Sequence, residues 1–131
     1  MDRGKRVCSS NRIPPALGPY SQAVAYGDIL FCSGIIPMNP ETGQVISDGI
    51  EAQTHQVLTN LAALLEDAGT NLDSVLKTTV FLQNLEHFHA FNEVYGAYFP
   101  ANPPARSTVQ VARLPMDVLI EVEAIAALCD K

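Results

Sequence analysis

The sequence predicts an α+β fold, an α/β sandwich of order ββαβαββ with two helices packed on one face of a mixed sheet. Three observations carry that expectation. Ile50 to Ala68 and Phe88 to Tyr98 repeat apolar residues at the 3.6-residue helical period. The runs around them are short, rich in Val, Ile and Phe, and partly alternating, as strands are. Turns bearing Gly and Pro punctuate the chain, with no linker, repeat or low-complexity stretch between elements. At 131 residues, 47% hydrophobic and 17% charged, the chain reads as one globular domain over 1–131, with residues 1–11 a short N-terminal extension and edge strand.

Ser21 to Tyr26 and Ile29 to Ile36 read as the first strand pair, joined by a Tyr-Gly-Asp turn. Pro37 to Val45, with two prolines and a Thr-Gly turn, reads as a loop. Asp48 stands as an N-cap with Glu51 three residues on, the pattern of a capping box. The helix that follows carries Ile50, Val57, Leu58, Leu61, Leu64, Leu65 and Ala68 on one stripe and stops at Gly69. Val75 to Gln83 is a strand of mixed alternation. Asn84 can cap the second helix, whose stripe is Phe88, Phe91, Val94, Tyr95 and Tyr98; Pro100 and Pro103-Pro104 end it. The rest reads as a β-hairpin. Ser107, Val109 and Val111 alternate with Thr108, Gln110 and Ala112, Leu-Pro-Met-Asp turns the chain, and Val118 to Leu128 returns.

Two helices cover only one face of such a sheet. Yet Ile29-Leu30-Phe31-Cys32 and the last strand carry apolar residues on both faces, and no third helix is present to cover the second. Association of sheets from several subunits is the economical way to bury it.

A net charge of −6 and a pI near 4.8 argue against general nucleic-acid binding, which needs clustered Lys and Arg. No apolar run spans a bilayer and no signal-peptide pattern opens the chain, so Arg3, Lys5 and Arg6 read as part of a solvated tail. Cys8, Cys32 and Cys129 are odd in number and widely spaced, fitting neither a disulfide framework nor a zinc site; a reducing, cytoplasmic setting is expected. Cys32, within an apolar strand, reads as inert filling. His87 and His89 point about 200° apart on a helix and cannot share a metal. With His55 they read as surface residues.

Beyond residue 12 the only basic side chains are Lys77, Arg106, Arg113 and Lys131, against thirteen acids, a balance of −9. An arginine kept at the start of a strand in so acidic a chain answers to a specific anion. Glu121 and Glu123 share one face of the last strand, opposite Ile120, Val122 and Ala124. Carboxylates in such a strand are costly unless they meet solvent, a cation or a donor. A guanidinium on the neighbouring strand and a carboxylate facing a shared hollow would suit a small anionic substrate and a water molecule. The same pattern equally suits an ordinary cross-strand ion pair.

The run PARS-x-V-x-VARLP followed by IEVEAIA resembles the signature of the RidA/YjgF family of enamine/imine deaminases. ALGPYSQAV from Ala16, FCSGIIPMNPETGQV from Phe31 and KTTVFLQNLEHFHAFNEVYGAYF from Lys77 are similar in order and spacing, over residues 12 to 127. The resemblance implies a chorismate-mutase-like fold forming a homotrimer, with a site in each cleft between subunits. It also implies hydrolysis of 2-aminoacrylate and 2-aminocrotonate enamines, handled as their 2-imino acid tautomers, to a 2-keto acid and ammonia. Such chemistry needs a carboxylate clamp, an activated water and a way to handle protons on nitrogen. It needs neither a metal nor an organic cofactor.

Arg106 would be the clamp, since its planar fork takes a carboxylate bidentately. The resemblance selects Glu121, over Glu123, to position or deprotonate the water, and a nearby Arg106 would favour its ionised form. The backbone around Ser107 and Thr108 could bond the substrate nitrogen. Tyr20, Ser33, Gly34 and Asn92 are further family positions. Tyr20 follows a Gly-Pro turn that can aim a phenol into a cleft, or it packs in the core. Ser33 could donate to a carboxylate or water, or is merely small near a backbone approach. Gly34 permits close approach of substrate or subunit, and Asn92 binds ligand or backbone. Many family members carry Cys where this chain has Thr108 and Gln where it has Ile35; the first change removes any thiol role, the second makes the pocket more apolar. Two other functions share these residues. One is a non-catalytic trimeric sensor of small keto or amino acids, needing Arg106 without Glu121; the other, RNA cleavage, is disfavoured by the acidic balance.

Overall fold

A six-stranded mixed sheet carries two helices on one face in the computed structural model, which describes residues 4–128. The elements are β1 (Arg6–Cys8), β2 (Ala23–Tyr26), β3 (Ile29–Ile35), α1 (Ile50–Asp67), β4 (Val75–Leu82), α2 (Phe88–Tyr98), β5 (Ala105–Gln110) and β6 (Ile120–Ala127). The sheet order is β1-β2-β3-β6-β4-β5, and only β4 and β5 run parallel. No helix among the described residues is long and apolar enough to cross a membrane. Cys129 lies outside the described residues.

The periodic stripes become the core. Val57, Leu58, Leu61, Leu64 and Leu65 of α1 and Phe91 and Tyr95 of α2 are buried against Leu30, Val80, Leu82, Ile120, Val122 and Ala126 of the sheet. Local details differ from expectation in three places. Asp48 does not cap α1; Gly49, at φ 101°, takes that position without a side-chain bond. Buried Gln53 ties the entry instead, donating to the Ile46 carbonyl (2.8 Å) and accepting from the Leu119 amide (2.8 Å). Asn84 does cap, but it caps a 3-10 turn at Leu85–His87 that leads into α2. Arg6 is also no solvated tail: it lies in β1 and donates to the Gly27 carbonyl at 2.8 Å.

The expected β5–β6 hairpin does not form. β5 pairs with β4 alone, while β6 runs between β3 and β4, antiparallel to both. The β4–α2–β5 segment is a parallel crossover unit, which places β5 on the outer side of β4. Inserting the apolar β6 between two strands satisfies its backbone on both sides, whereas a hairpin would leave it as a bare apolar edge. The polar β5 takes the edge instead.

The open face of the sheet carries apolar residues, as anticipated, beside Lys77, Thr79, Ser107, Glu121 and Glu123. Val7, Val24, Phe31 and Ile125 form one cross-strand row that ends at Lys77, and Phe81 and Val109 extend it beyond Glu121. Val7, Tyr26, Phe31 and Val109 are each more than 40% exposed in the single chain, so this face lacks a cover.

Candidate active site

The candidate residues fall into two groups on opposite faces of the sheet. Thr78 pairs with Arg106 and with Ala124, while Phe81 pairs with Val109 and with Glu121. Side chains alternate along a strand, so residues 78, 106, 108 and 124 share the helix face, and residues 81, 107, 109, 121 and 123 share the open face. Arg106 and Glu121 are therefore neither on neighbouring strands nor in a shared hollow of one chain. The cross-strand ion pair is excluded by the same geometry.

On the helix face, the Arg106 guanidinium carbon lies 4.8, 5.0 and 5.6 Å from the ring centroids of Tyr95, Phe91 and Phe88. Cation–π attraction holds it there, half-buried, with no carboxylate partner among the described residues. The Thr108 hydroxyl, two residues along the same face, is buried and unbonded within the described chain. A buried hydroxyl without a partner is costly and is commonly completed by a ligand, a water or another chain. Asn92 is half-buried on α2 one residue after Phe91. His87 departs from its expected surface setting. It is half-buried, and its Nδ1 is a second buried, unbonded atom. His55 does lie at the surface, with Nδ1 2.9 Å from the Tyr98 hydroxyl.

Glu121, on the open face, borders a cavity of about 230 Å³ that also reaches the helix side of the sheet at Ile35 and Leu64. Tyr20, Ser33 and Gly34 line it together with Ile13, Ile35, Ile36, Met38 and Leu64, so its wall is mainly apolar. The β3–β6 register slips between Cys32 and Ile35, a bulge that leaves Ser33 and Gly34 unpaired. The Glu121 carboxylate lies across Gly34 so closely that an added Cβ would collide with it. Gly34 thus admits a side chain of its own chain. Burial, reinforced by the like charge of Glu123, raises the Glu121 pKa above the usual carboxylate value. The expected pull of Arg106 toward the ionised form is absent within one chain, because the guanidinium is on the other face.

The polar partners around the cavity are oriented. The Ser33 hydroxyl donates to the Ser21 carbonyl at 2.6 Å, so it can offer a ligand only acceptor lone pairs, not the proton expected of it. The Tyr20 phenol is exposed, accepts from the Leu17 amide at 3.2 Å and keeps its own proton for another acceptor. Ser107 is exposed on the open face. Sequence reasoning missed Gln22, a buried amide that accepts from the Ser10 amide (2.6 Å) and donates to the Pro14 carbonyl (2.9 Å), holding the 13–20 loop over the cavity. An amide leading into the apolar run Ala-Val-Ala was the available signal. Cys32 is buried and inert as expected, its thiol pushed up to about 12 by burial.

Three comparisons bear on this arrangement. The family model described as Endoribonuclease L-PSP matches residues 10–128. Reactive Intermediate Deaminase A of Arabidopsis thaliana, a chloroplast protein, is 48% identical over 124 residues; these cover 95% of this chain and 66% of the longer plant protein. Among solved structures, the Rid-family protein YyfA of Yersinia pestis, of unknown function, superposes with a TM-score of 0.91 at 45% identity, covering 95% of this chain and 100% of that one. The E. coli TdcF structure with bound serine gives 0.90 at 42% identity, with 95% and 99% covered.

Proposed function

Since this chain belongs to the Endoribonuclease L-PSP family, which includes Rid and RutC proteins, we propose that it is a hydrolytic deaminase of 2-aminoacrylate- and 2-aminocrotonate-type enamines and their 2-imino acid tautomers, releasing a 2-keto acid and ammonia. One observation carries the reading. The chain presents an arginine with no carboxylate partner among the described residues and a carboxylate of raised pKa bordering an apolar cavity, on opposite faces of one sheet. A substrate carrying both a carboxylate and an electrophilic C=N carbon asks for that pair. The two groups meet only across a boundary between copies, and the uncovered apolar face gives copies a reason to associate. We therefore place the working site between subunits of a homotrimer.

In that site Arg106 takes the substrate carboxylate bidentately and fixes the C=N plane. Glu121 holds a water and accepts its proton as the oxygen adds to the imine carbon. A raised pKa suits this residue, which passes that proton to the imine nitrogen, then takes the proton of the new hydroxyl and delivers it to the amine as the C–N bond breaks, giving the carbonyl and ammonia. Tyr20 donates its hydroxyl proton, Ser33 accepts, and Thr108 can bond the substrate nitrogen. Ile35 and the apolar wall favour aliphatic substrate side chains. The residues present supply every group these steps use.

A second reading, a non-catalytic binding module for keto or amino acids, is favoured by the serine-bound TdcF relative. RNA cleavage, named in the family description, is poorly served by a chain of net charge −6. Keto-acid release from enzymatically generated 2-aminoacrylate tests the proposal. Arg106→Ala should abolish it with the fold intact, and alanine activity within about twofold of wild type would remove the clamp from the mechanism.

A further inference from the structure

We propose that Tyr95, anchored by Thr78, is a positioning residue that sets the Arg106 guanidinium for a carboxylate; the inference rests on the reading of Arg106 as the clamp. Arginine ordinarily reaches its ligand on a long flexible stem, and ordering that stem at each binding event weakens affinity. Here the stem ends against the rings of Phe88, Phe91 and Tyr95, with centroids 4.8–5.6 Å from the guanidinium carbon. Spacings of three and four residues put all three rings on one stripe of α2, facing the β5 edge. Ring faces attract the cation, and the Tyr95 hydroxyl also interacts with the guanidinium, while the remaining in-plane N–H donors of the fork stay open to a carboxylate.

Tyr95 differs from the two phenylalanines in being bonded in place. Its hydroxyl lies 2.7 Å from the Thr78 hydroxyl, and Thr78 is fully buried. Thr78 is also the residue directly opposite Arg106 in the β4–β5 register. Ring contacts with Phe91 (5.1 Å) and Phe99 (4.7 Å) also pack against Tyr95. Turning the Tyr95 ring would break a buried hydroxyl pair, so the wall beside the guanidinium is rigid. Burial keeps the Tyr95 phenol neutral by raising its pKa, which preserves the donor that the pair requires. A residue needed only to fill the core could be phenylalanine. The hydroxyl pair, beside Arg106 and nowhere near Glu121, is explained by fixing the clamp.

The test uses the intact protein and two readouts, calorimetric titration with 2-oxobutanoate and steady-state turnover of generated 2-aminoacrylate. Tyr95→Phe and Thr78→Val should raise KM and weaken 2-oxobutanoate binding by roughly three- to tenfold while kcat stays within about twofold, because the clamp holds ground and transition states alike. Thr78→Ser, which retains the hydroxyl, should restore both. In an Arg106→Lys background the same substitutions should change little, since lysine cannot use the planar setting. Equal losses in both backgrounds, or a lowered melting temperature with KM unchanged, would overturn the inference. Should Tyr95→Phe fail to fold, the Thr78 pair decides alone. Wild-type protein that binds no 2-oxobutanoate overturns the clamp itself. Wild-type binding with unaffected variants overturns only the positioning role.

Discussion

Arg106 and Glu121 are each explained by what surrounds them, and neither by the other within one chain. Arg106→Lys keeps the charge but loses the two-pronged geometry. At least a tenfold fall in kcat/KM is expected, since a charge-assisted contact is worth about 1.5–3 kcal/mol. Glu121→Gln should leave keto-acid binding measurable by calorimetry while ammonia release drops by roughly 10²–10⁴-fold. Unchanged turnover would leave the base unassigned and favour the binding-module reading. The raised pKa of Glu121 adds a pH signature. A base must be ionised, so activity should fall on acidification through a value above the ordinary carboxylate range. Glu123→Gln removes the like charge and should move that limb to lower pH, as a pH–rate profile would reveal. Stability runs the other way. A carboxyl whose folded pKa is raised favours the folded state at low pH, and that contribution is lost as pH rises through the folded value. The sequence marked Arg106 and Glu121 by rarity, an arginine in an acidic chain and an acid in an apolar strand. Direction was beyond it, because whether two side chains share a face depends on which strands pair.

At the scale of elements, the strand pairing decided the outcome. Consecutive strands joined by a short turn suggested a hairpin, yet β6 went between β3 and β4. Composition held the missing clue. Arg-Ser-Thr-Val-Gln is tolerable at a solvent-facing edge, whereas Ile-Glu-Val-Glu-Ala-Ile-Ala needs neighbours on both sides. Periodicity, by contrast, located both helices and their buried stripes, because burial against a sheet is a local property of the sequence. The β3 bulge was illegible, since nothing in Ser33-Gly34 alone announces that a glutamate from another strand lies over it. Gly34→Ala tests that contact. Its methyl group collides with the flexible end of Glu121 rather than with backbone, so the carboxylate should shift while the fold persists. Turnover should drop sharply, with the melting temperature changing by only about 2–4 °C on a thermal scan.

For the molecule as a whole, the uncovered face is a packing shortfall that the proposed homotrimer would relieve. Phe31 and Val7 are exposed in a single chain yet belong to one apolar cross-strand row, and Val109 with Phe81 adds a second apolar patch on the same face. Light scattering should report three copies in dilute solution, and a stable monomer would contradict both the packing and the shared site. Phe31→Glu, in the middle of that surface, should give a folded chain that fails to assemble and is inactive, although Arg106 and Glu121 are untouched. The opposite-face placement of those two residues has a hereditary meaning as well. A site assembled from two gene products can be repaired by pairing two defective alleles. One allele lacking the arginine and another lacking the glutamate would each be null, yet a cell expressing both in equal amount should regain roughly one working site in four, the share in which each neighbour supplies its intact half. Ammonia release from the co-expressed variants at that level, against silence from either alone, would read the sheet's two faces out of a cross.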